Sequence, residues 1–494
     1  MPLPTILSGN VASALGGAYE VANSCRFDAA SGAYMSKSLG TPTNAKKATF
    51  SAWIKRCSLG THSNSTDSGG QGIVTFKPSN GNFDTWKFNN VDKIDFYSEV
   101  SSLQKYWVAD GPEQFRDVGA WYHIVIALDS TQSTAANRFK YYINGTQLTS
   151  PTQTSYIAQD SDHVGLASGS TVYVGLGKAH NTNVLYSDFY MAEVCFIDGT
   201  QYAASDFGEF DEDSPTIWKP KDPSGLTFGN NGFYLDFEDS SNLGNDANGG
   251  TDLSETNLAA TDQATDTPTN NFCTLNPLAP YGISGTTWSE GNLNLYHLQD
   301  SGVPCNFFVN KGKWYWENKI GAESDAQYTA MGIVSESVVA SGDMSDASYA
   351  GGFTDYGGDD LAYAYQGANG HLLTNDALSS GWGDTYAAND IISVALDLDN
   401  NKLYFAKNGT WQNSGDPTSG ATGTGAVSIT NTYYTPLIQS FSGSSTNAQL
   451  NFGGGCSWTV SSANSDADGG GTTFEYSVPS GYFALCTKNL ANYG

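Results

Sequence analysis

The chain is 494 residues long with a formal net charge of −28, 50 acidic residues standing against 22 basic ones. Single cores rarely grow past roughly 250 residues, so two domains are expected. The acid excess rules against a nucleic acid backbone or another polyanion as partner, because counterion release needs patches of Lys and Arg.

Gly (55), Tyr (28) and Phe (24) abound while Met stands at 5 and Lys plus Arg at 22, a composition for β structure with little helix. Met1 to Ser24 has no basic start followed by an apolar core, so no secretory signal is read there. That segment is rich in small residues and reads as an arm for assembly or anchoring, or as a flexible terminus. No stretch reaches the ~20 apolar residues of a membrane span.

From Cys25 onward strand patterns are dense. Thr49-Phe50-Ser51-Ala52-Trp53-Ile54 alternates large apolar residues with small or polar ones, which predicts a half-buried strand. Trp121 to Asp129 is β-branched enough for a central strand. Phe139, Tyr141 and Ile143 alternate with Lys140 and Tyr142, and Asn144-Gly145 then supplies a tight hairpin turn. The same plan returns about 260 residues later: Asp390 to Asp397 is a strand, Asp399-Asn400-Asn401 a turn, and Leu403 to Lys407 a strand closed by Asn408-Gly409. The expected fold class is therefore all-β, two jelly-roll sandwiches in tandem.

Between the two, residues 238–270 are rich in Asp, Asn, Ser, Thr and Gly and read as a polar linker or loop. The domain plan is an arm at 1–24, a first sandwich at 25–237, the linker at 238–270 and a second sandwich at 271–494. Ser461 to Thr473 is expected as a surface loop. Seven cysteines, Cys25, Cys57, Cys195, Cys273, Cys305, Cys456 and Cys486, are scattered without a C-x-x-C pair and suit buried thiols in a reducing cytoplasm.

Several segments together resemble known families. Phe27-Asp28, Ala48 to Lys55, Trp121-Tyr122-His123, Tyr142 to Gly145 and Ser187 to Val194 resemble the laminin-G-like, concanavalin A-like jelly rolls. Gly312 to Glu317, Met331-Gly332-Ile333, Asp390 to Leu398, Leu403 to Trp411, Tyr434 to Ile438 and Ala448 to Gly453 resemble a SPRY domain. The pairing is similar to structural proteins of marine tailed phages. That resemblance implies an exposed virion protein that binds through loops carried on rigid sheets.

Catalysis is tested first, because concanavalin-like folds also house glycanases with an E-x-D-x-x-E strand. Glu209-Phe210-Asp211 begins that spacing, but Ser214 takes its last position, so no catalytic residue is assigned. His62, His123, His163, His180, His297 and His371 form no metal motif, and His123 reads as a packed strand residue. The laminin-G-like resemblance makes calcium the expected ion. Asp239, Asn245 and Asp246, around the turn at Gly244, offer oxygen ligands, though the same cluster reads as a polar turn.

Ligand contact is placed on the SPRY-like loop from Gly352 to Tyr386, at Asp355, Tyr356, Asp359, Asp360, Trp382 and Asp384, together with Trp411. Tyr363 and Tyr365 read instead as alternate strand residues, and Trp314 and Trp316 as core. The expected function is a non-catalytic virion appendage, a fibre, knob or decoration protein that attaches to a host-surface glycan or protein and assembles as a homo-oligomer, a trimer being favoured. A purely structural virion component is the alternative, with a glycan-cleaving enzyme behind it.

Overall fold

The computed structural model describes residues 19–494 except 64, 67–68, 102, 110–112, 150–152, 178–183, 280–285, 298–300, 323–328, 342–361, 368–369, 375–376, 441–445 and 469–470. Most of the N-terminal arm therefore lies outside the described residues. The described chain divides into two compact units, at 19–269 and at 270–494. Each is an all-β sandwich of two facing sheets.

In the first unit one sheet runs Thr146–Gln147, Phe139–Ile143, Trp121–Asp129, Lys47–Arg56, Phe189–Asp198, Ser24–Phe27, Gln263–Ala264, with Phe233–Leu235 also paired to Phe189–Asp198. We call it the Trp53 sheet. The facing Thr75 sheet runs Gln153–Ser155, Leu103–Ala109, Ile94–Val100, Asn82–Phe88, Gln71–Ser79, Thr171–Val174, Tyr34–Ser38, Ser254–Thr256. Between them lies a core that includes Phe50, Ile54, Phe76, Trp86, Ile126, Met191 and Phe196. Asn144 and Gly145 both adopt positive φ, 45° and 78°, the backbone of a primed hairpin turn matched to the twist of its strands.

The strand Lys47–Arg56 is buried on both faces rather than half-buried as its alternation predicts. Its second face is covered by segments distant in sequence: Phe207, Trp218 and Phe228 pack over Val125 and Cys195, and Val21 packs on Trp53. His123 sits under this cover, pushed down to about 3 by burial alone. The neutral ring accepts from Trp218 Nε1 at 2.9 Å on Nδ1, which leaves Nε2 to donate to Ser51 Oγ at 2.9 Å.

The segment 238–270 is not a free linker. Ser254–Thr256 pairs with Tyr34–Ser38, and Gln263–Ala264 pairs with Ser24–Phe27, so it extends both sheets. Its polar composition gives it no core of its own, yet Leu243 and Leu253 enter the shared one. Asp266 then fixes it: its carboxylate lies 2.8 Å from Lys55 Nζ and accepts from Trp121 Nε1 at 3.2 Å. Both charged side chains of that ion pair are almost wholly buried.

Glu193 is a second buried charge. It takes φ of 51° where the register with Lys47–Arg56 shifts between Ala192 and Cys195. Such left-handed backbone costs a non-glycine residue on the order of 1 kcal/mol. The carboxylate accepts from Tyr234 at 2.8 Å and from Tyr19 at 2.9 Å. Burial pushes the carboxyl up to about 7, against the pull of these two hydroxyls.

In the second unit the Trp316 sheet runs Thr287–Ser289, Asn294–His297, Thr446–Asn451, Lys313–Ile320, Ile391–Asp397, Lys402–Lys407, Thr410–Trp411. The facing Met331 sheet runs Ser301–Pro304, Tyr434–Ser440, Thr329–Ser335, Ala362–Gln366, His371–Thr374, Ala377–Ser379. Trp314, Tyr315, Trp316, Tyr363 and Tyr365 all lie in the core. Asn408 and Gly409 repeat the primed turn, with φ of 47° and 79°. Buried Glu317 ties down the C-terminal segment by accepting from the backbone N–H of Glu475 at 2.9 Å and Tyr476 at 2.8 Å. Within the 461–473 loop, buried Asp466 accepts from Ala484 N at 2.8 Å and Asn489 Nδ2 at 2.9 Å.

Two outcomes follow. Asp266→Ala takes the carboxylate away from the buried Lys55 ammonium, and the first unit should lose about 3–5 kcal/mol in urea unfolding. The second concerns pH. The folded chain keeps the Glu193 proton up to about 7, whereas an ordinary glutamate releases it near 4.5. Stability should therefore fall by ~3 kcal/mol as pH rises through that window, and Glu193→Gln should flatten this part of the stability profile.

Candidate functional site

The sequence-predicted ligand set divides in the structure. Asp355, Tyr356, Asp359 and Asp360 lie outside the described residues. Trp382, Asp384 and Trp411 are described, and two turns bring their segments together on the second unit. Trp382 follows the strand Ala377–Ser379, in a turn where Gly381 takes φ of 64° with open space around it. Trp411 ends the hairpin that turns at Asn408-Gly409.

Trp382 is half-buried. Its ring meets Tyr365 at 5.6 Å and Phe405 at 5.9 Å, edge-on in both cases. Trp411, also half-buried, meets Tyr404 edge-on at 6.4 Å. Each tryptophan is thus rooted on a core aromatic and presents part of its surface outward.

The backbone between them is fixed. Gln412 is buried, and its Oε1 accepts from Asp384 N at 2.7 Å. The Asp384 carbonyl accepts from the Tyr365 hydroxyl, and Gly383 N donates to Gly370 O at 3.0 Å. Lys407 Nζ donates to Thr385 O at 2.7 Å and pairs with Asp390 at 3.2 Å. Burial works to raise the Asp390 carboxyl, but the Ala387 N–H, Asn408 and Lys407 outweigh it and hold it below the usual range. The Asp384 side chain is exposed, on a backbone held at both its N–H and its carbonyl. Gln412 and Lys407 escaped the sequence reading. The one signal for Gln412 was its place directly after a turn-flanking tryptophan.

Each of the three residues considered for calcium makes contacts within the fold. Asp239 accepts from Ser241 N and Oγ of its own turn. Asp246 is buried with Lys37 Nζ 3.5 Å from its Oδ2, and its Oδ1 accepts from Tyr234 N at 3.0 Å. The Lys37 ammonium supplies the positive charge a cation would bring. Asn245 donates its backbone N–H to Asn242 O at 3.0 Å. Among the described residues no three His, Cys, Asp or Glu side chains gather as a metal-binding group.

The Glu209–Asp211 pair lies on a two-strand hairpin of Gly208–Phe210 with Trp218–Pro220. Lys219 Nζ is 3.5 Å from both carboxylates, and Asp211 caps its own turn by accepting from Asp213 N and Ser214 N. All seven cysteines are free and buried, and no described helix is long and apolar enough to cross a membrane.

Comparisons with known proteins agree with this architecture. Residues 29–188 match Laminin_G_3, described as the Concanavalin A-like lectin/glucanases superfamily, and residues 313–438 match the SPRY domain. The chain thus carries a stretch matching each of the two domains. Among solved structures it is similar to the SPRY domain of human HERC1, with 14% identity over 36% of this chain and 96% of that one and a TM-score of 0.27. It is also similar to a heptameric SAP-like pentraxin from Limulus polyphemus, with 14% identity, 36% and 77% coverage and a TM-score of 0.26. A candidate carbohydrate binding protein from Bacteroides ovatus gives 15% identity, 48% and 59% coverage and a TM-score of 0.32. No curated protein matches the chain.

Because Gln412 holds the Asp384 backbone, Gln412→Ala leaves a donor without its acceptor and should destabilise the second unit by about 1–2 kcal/mol. A urea titration followed by tryptophan fluorescence reads this, and the change should include altered emission from Trp382.

Proposed function

We propose that this chain is a non-catalytic binding protein on a virion appendage, a tail or head fibre, knob or decoration protein, which holds a host-surface glycan around Trp382, Asp384 and Trp411. The observation that carries the reading is two half-exposed tryptophans rooted edge-on in the core, beside an exposed carboxylate on fixed backbone. Flat rings cover the apolar faces of sugars, and carboxylates accept from their hydroxyls. Lys407, the lysine beside this site, is engaged by Thr385 O and Asp390, which favours an uncharged glycan over a sulfated one. The superfamily matched by the first domain includes both lectins and glucanases. Engagement of Glu209 and Asp211 with Lys219 supports binding over cleavage.

The virion assignment draws on the resemblance of the domain pair to phage structural proteins. A cyclic homo-oligomer, a trimer above all, fits it, since linked copies turn weak contacts into useful avidity. The N-terminal arm would meet other particle proteins.

A glycan array and host-cell binding, each run with calcium and with chelator, test the reading. We expect signal on neutral glycans, weakened roughly tenfold or more by Trp382→Ala with Asp384→Ala, a loss on the order of 1.4 kcal/mol. Silence in every condition would point to a purely structural component. Absence of the chain from particles by mass spectrometry would remove the virion reading. Reducing ends released from host polysaccharide, and lost in Glu209→Gln, would make the protein an enzyme.

A further inference from the structure

We infer that the outer face of the Thr75 sheet, at its Tyr34 end, is a second binding site, for a neutral polysaccharide. Strand register builds the face. Ser254 pairs with Ser36, Ser36 with Tyr173, Tyr173 with Thr75, and Thr75 with Thr85. Two residues along, Thr256 pairs with Tyr34 on one side and Thr171 with Ser38 on the other. Alternate residues of a strand share a face. These positions therefore point away from Met35, Val172, Val174 and Val74, which lie in the core.

Every outward position on the three strands Ser254–Thr256, Tyr34–Ser38 and Thr171–Val174 carries a hydroxyl, and none carries a charge. Each of the two charged residues on these strands has the opposite parity and a partner: Lys37 with Asp246 at 3.5 Å, and Glu255, which accepts from Gly244 N at 2.9 Å. In a chain of net charge −28, this patch three strands wide is uncharged. Tyr34, Ser36, Thr171 and Tyr173 are half-buried, while Ser38 and Ser254 are exposed. The Tyr34 and Tyr173 rings lie 6.0 Å apart at 56°, a raised aromatic pair beside the hydroxyl rows. Thr75 and Thr85 extend the row as a buried floor, their Oγ atoms 2.7 Å apart.

This chemistry selects the occupant. Hydroxyls both donate and accept, as sugar hydroxyls do, and the tyrosine rings offer apolar cover for a sugar face. Strands about 4.8 Å apart, with like-facing residues about 6.6 Å apart along each, make a broad grid suited to an extended polymer. A protein partner would call for aliphatic or Arg anchors at the centre, and a sulfated glycan for cations. The three strands carry none of these outward, and Lys77, in register with Thr171 on the next strand, is buried and engaged within the fold. The inference is independent of the SPRY-domain site, which lies on the other unit.

Affinity electrophoresis in native gels containing laminarin, galactomannan, xylan or pullulan, with dextran sulfate as the charged contrast, tests it. Wild type should be retarded by at least one neutral polymer, and retardation should persist in about 0.5 M NaCl, where screening removes most exposed ionic attraction. Tyr34→Ala with Tyr173→Ala should weaken it about tenfold or more, both in wild type and in a Trp382→Ala background in which the SPRY-domain site is disabled. Should the double variant misfold by circular dichroism, Ser254→Lys with Ser36→Lys places charge on the face while the rings stay in place, and should give the same loss. Retardation by dextran sulfate alone, by none of the neutral polymers, or equally in wild type and in the folded face variants overturns the inference. Loss through Trp382→Ala alone would assign the binding to the SPRY-domain site.

Discussion

The two-residue period of the β-strand governs this protein. Each strand must send half its side chains into the space between two sheets and half to the other side. The inner half is apolar in both units, and stacking buries it. What becomes of the outer half distinguishes the sheets. On the Trp53 sheet it is covered by later segments of chain and becomes a second apolar layer. At the Tyr34 end of the Thr75 sheet it remains a field of hydroxyls.

The covering segments are poor in apolar residues, and buried polar contacts hold them in place. Lys55 with Asp266, Glu193 with two tyrosines, and His123 between Ser51 and Trp218 all lie on the covered face of the Trp53 sheet. Glu317 plays the same part in the second unit. Such groups are costly to desolvate, and removing one partner is worse than removing both. Their contribution lies mainly in specifying where a polar strand or loop must dock. Glu193 shows this most clearly, because it keeps its site although its backbone is left-handed and burial favours its protonated form.

Function on this frame is a matter of what the rigid sheets leave outside. Trp382 and Trp411 reach the surface because turns follow their strands, and their inner edges still rest on Tyr365, Phe405 and Tyr404. Rigid aromatic anchors lose little conformational freedom on binding, which suits weak sites used in many copies.

Much of this was legible in the residue order. Alternation and the Asn-Gly pairs specified the strands and both primed hairpins, because period and turn chemistry are local properties. Trp314 and Trp316 declared themselves as core, and Tyr363 and Tyr365 as strand residues, for the same reason. Other features only the tertiary structure decided. Thr49 to Ile54 carries the pattern of a half-buried strand, and its second cover comes from segments apart from it in sequence, among them Val21 and Trp218 over Trp53. Residues 238–270 lack apolar mass and so read as a linker, yet they complete two sheet edges through backbone hydrogen bonds that composition does not record. Asp246 offered itself as a cation ligand until folding set Lys37 beside it. Likewise, serines and threonines on strands Tyr34–Ser38, Thr171–Val174 and Ser254–Thr256, unremarkable one at a time, became a surface only when register aligned them. A sequence states which residues share a strand face, whereas partner and cover are set by contacts made across long stretches of chain.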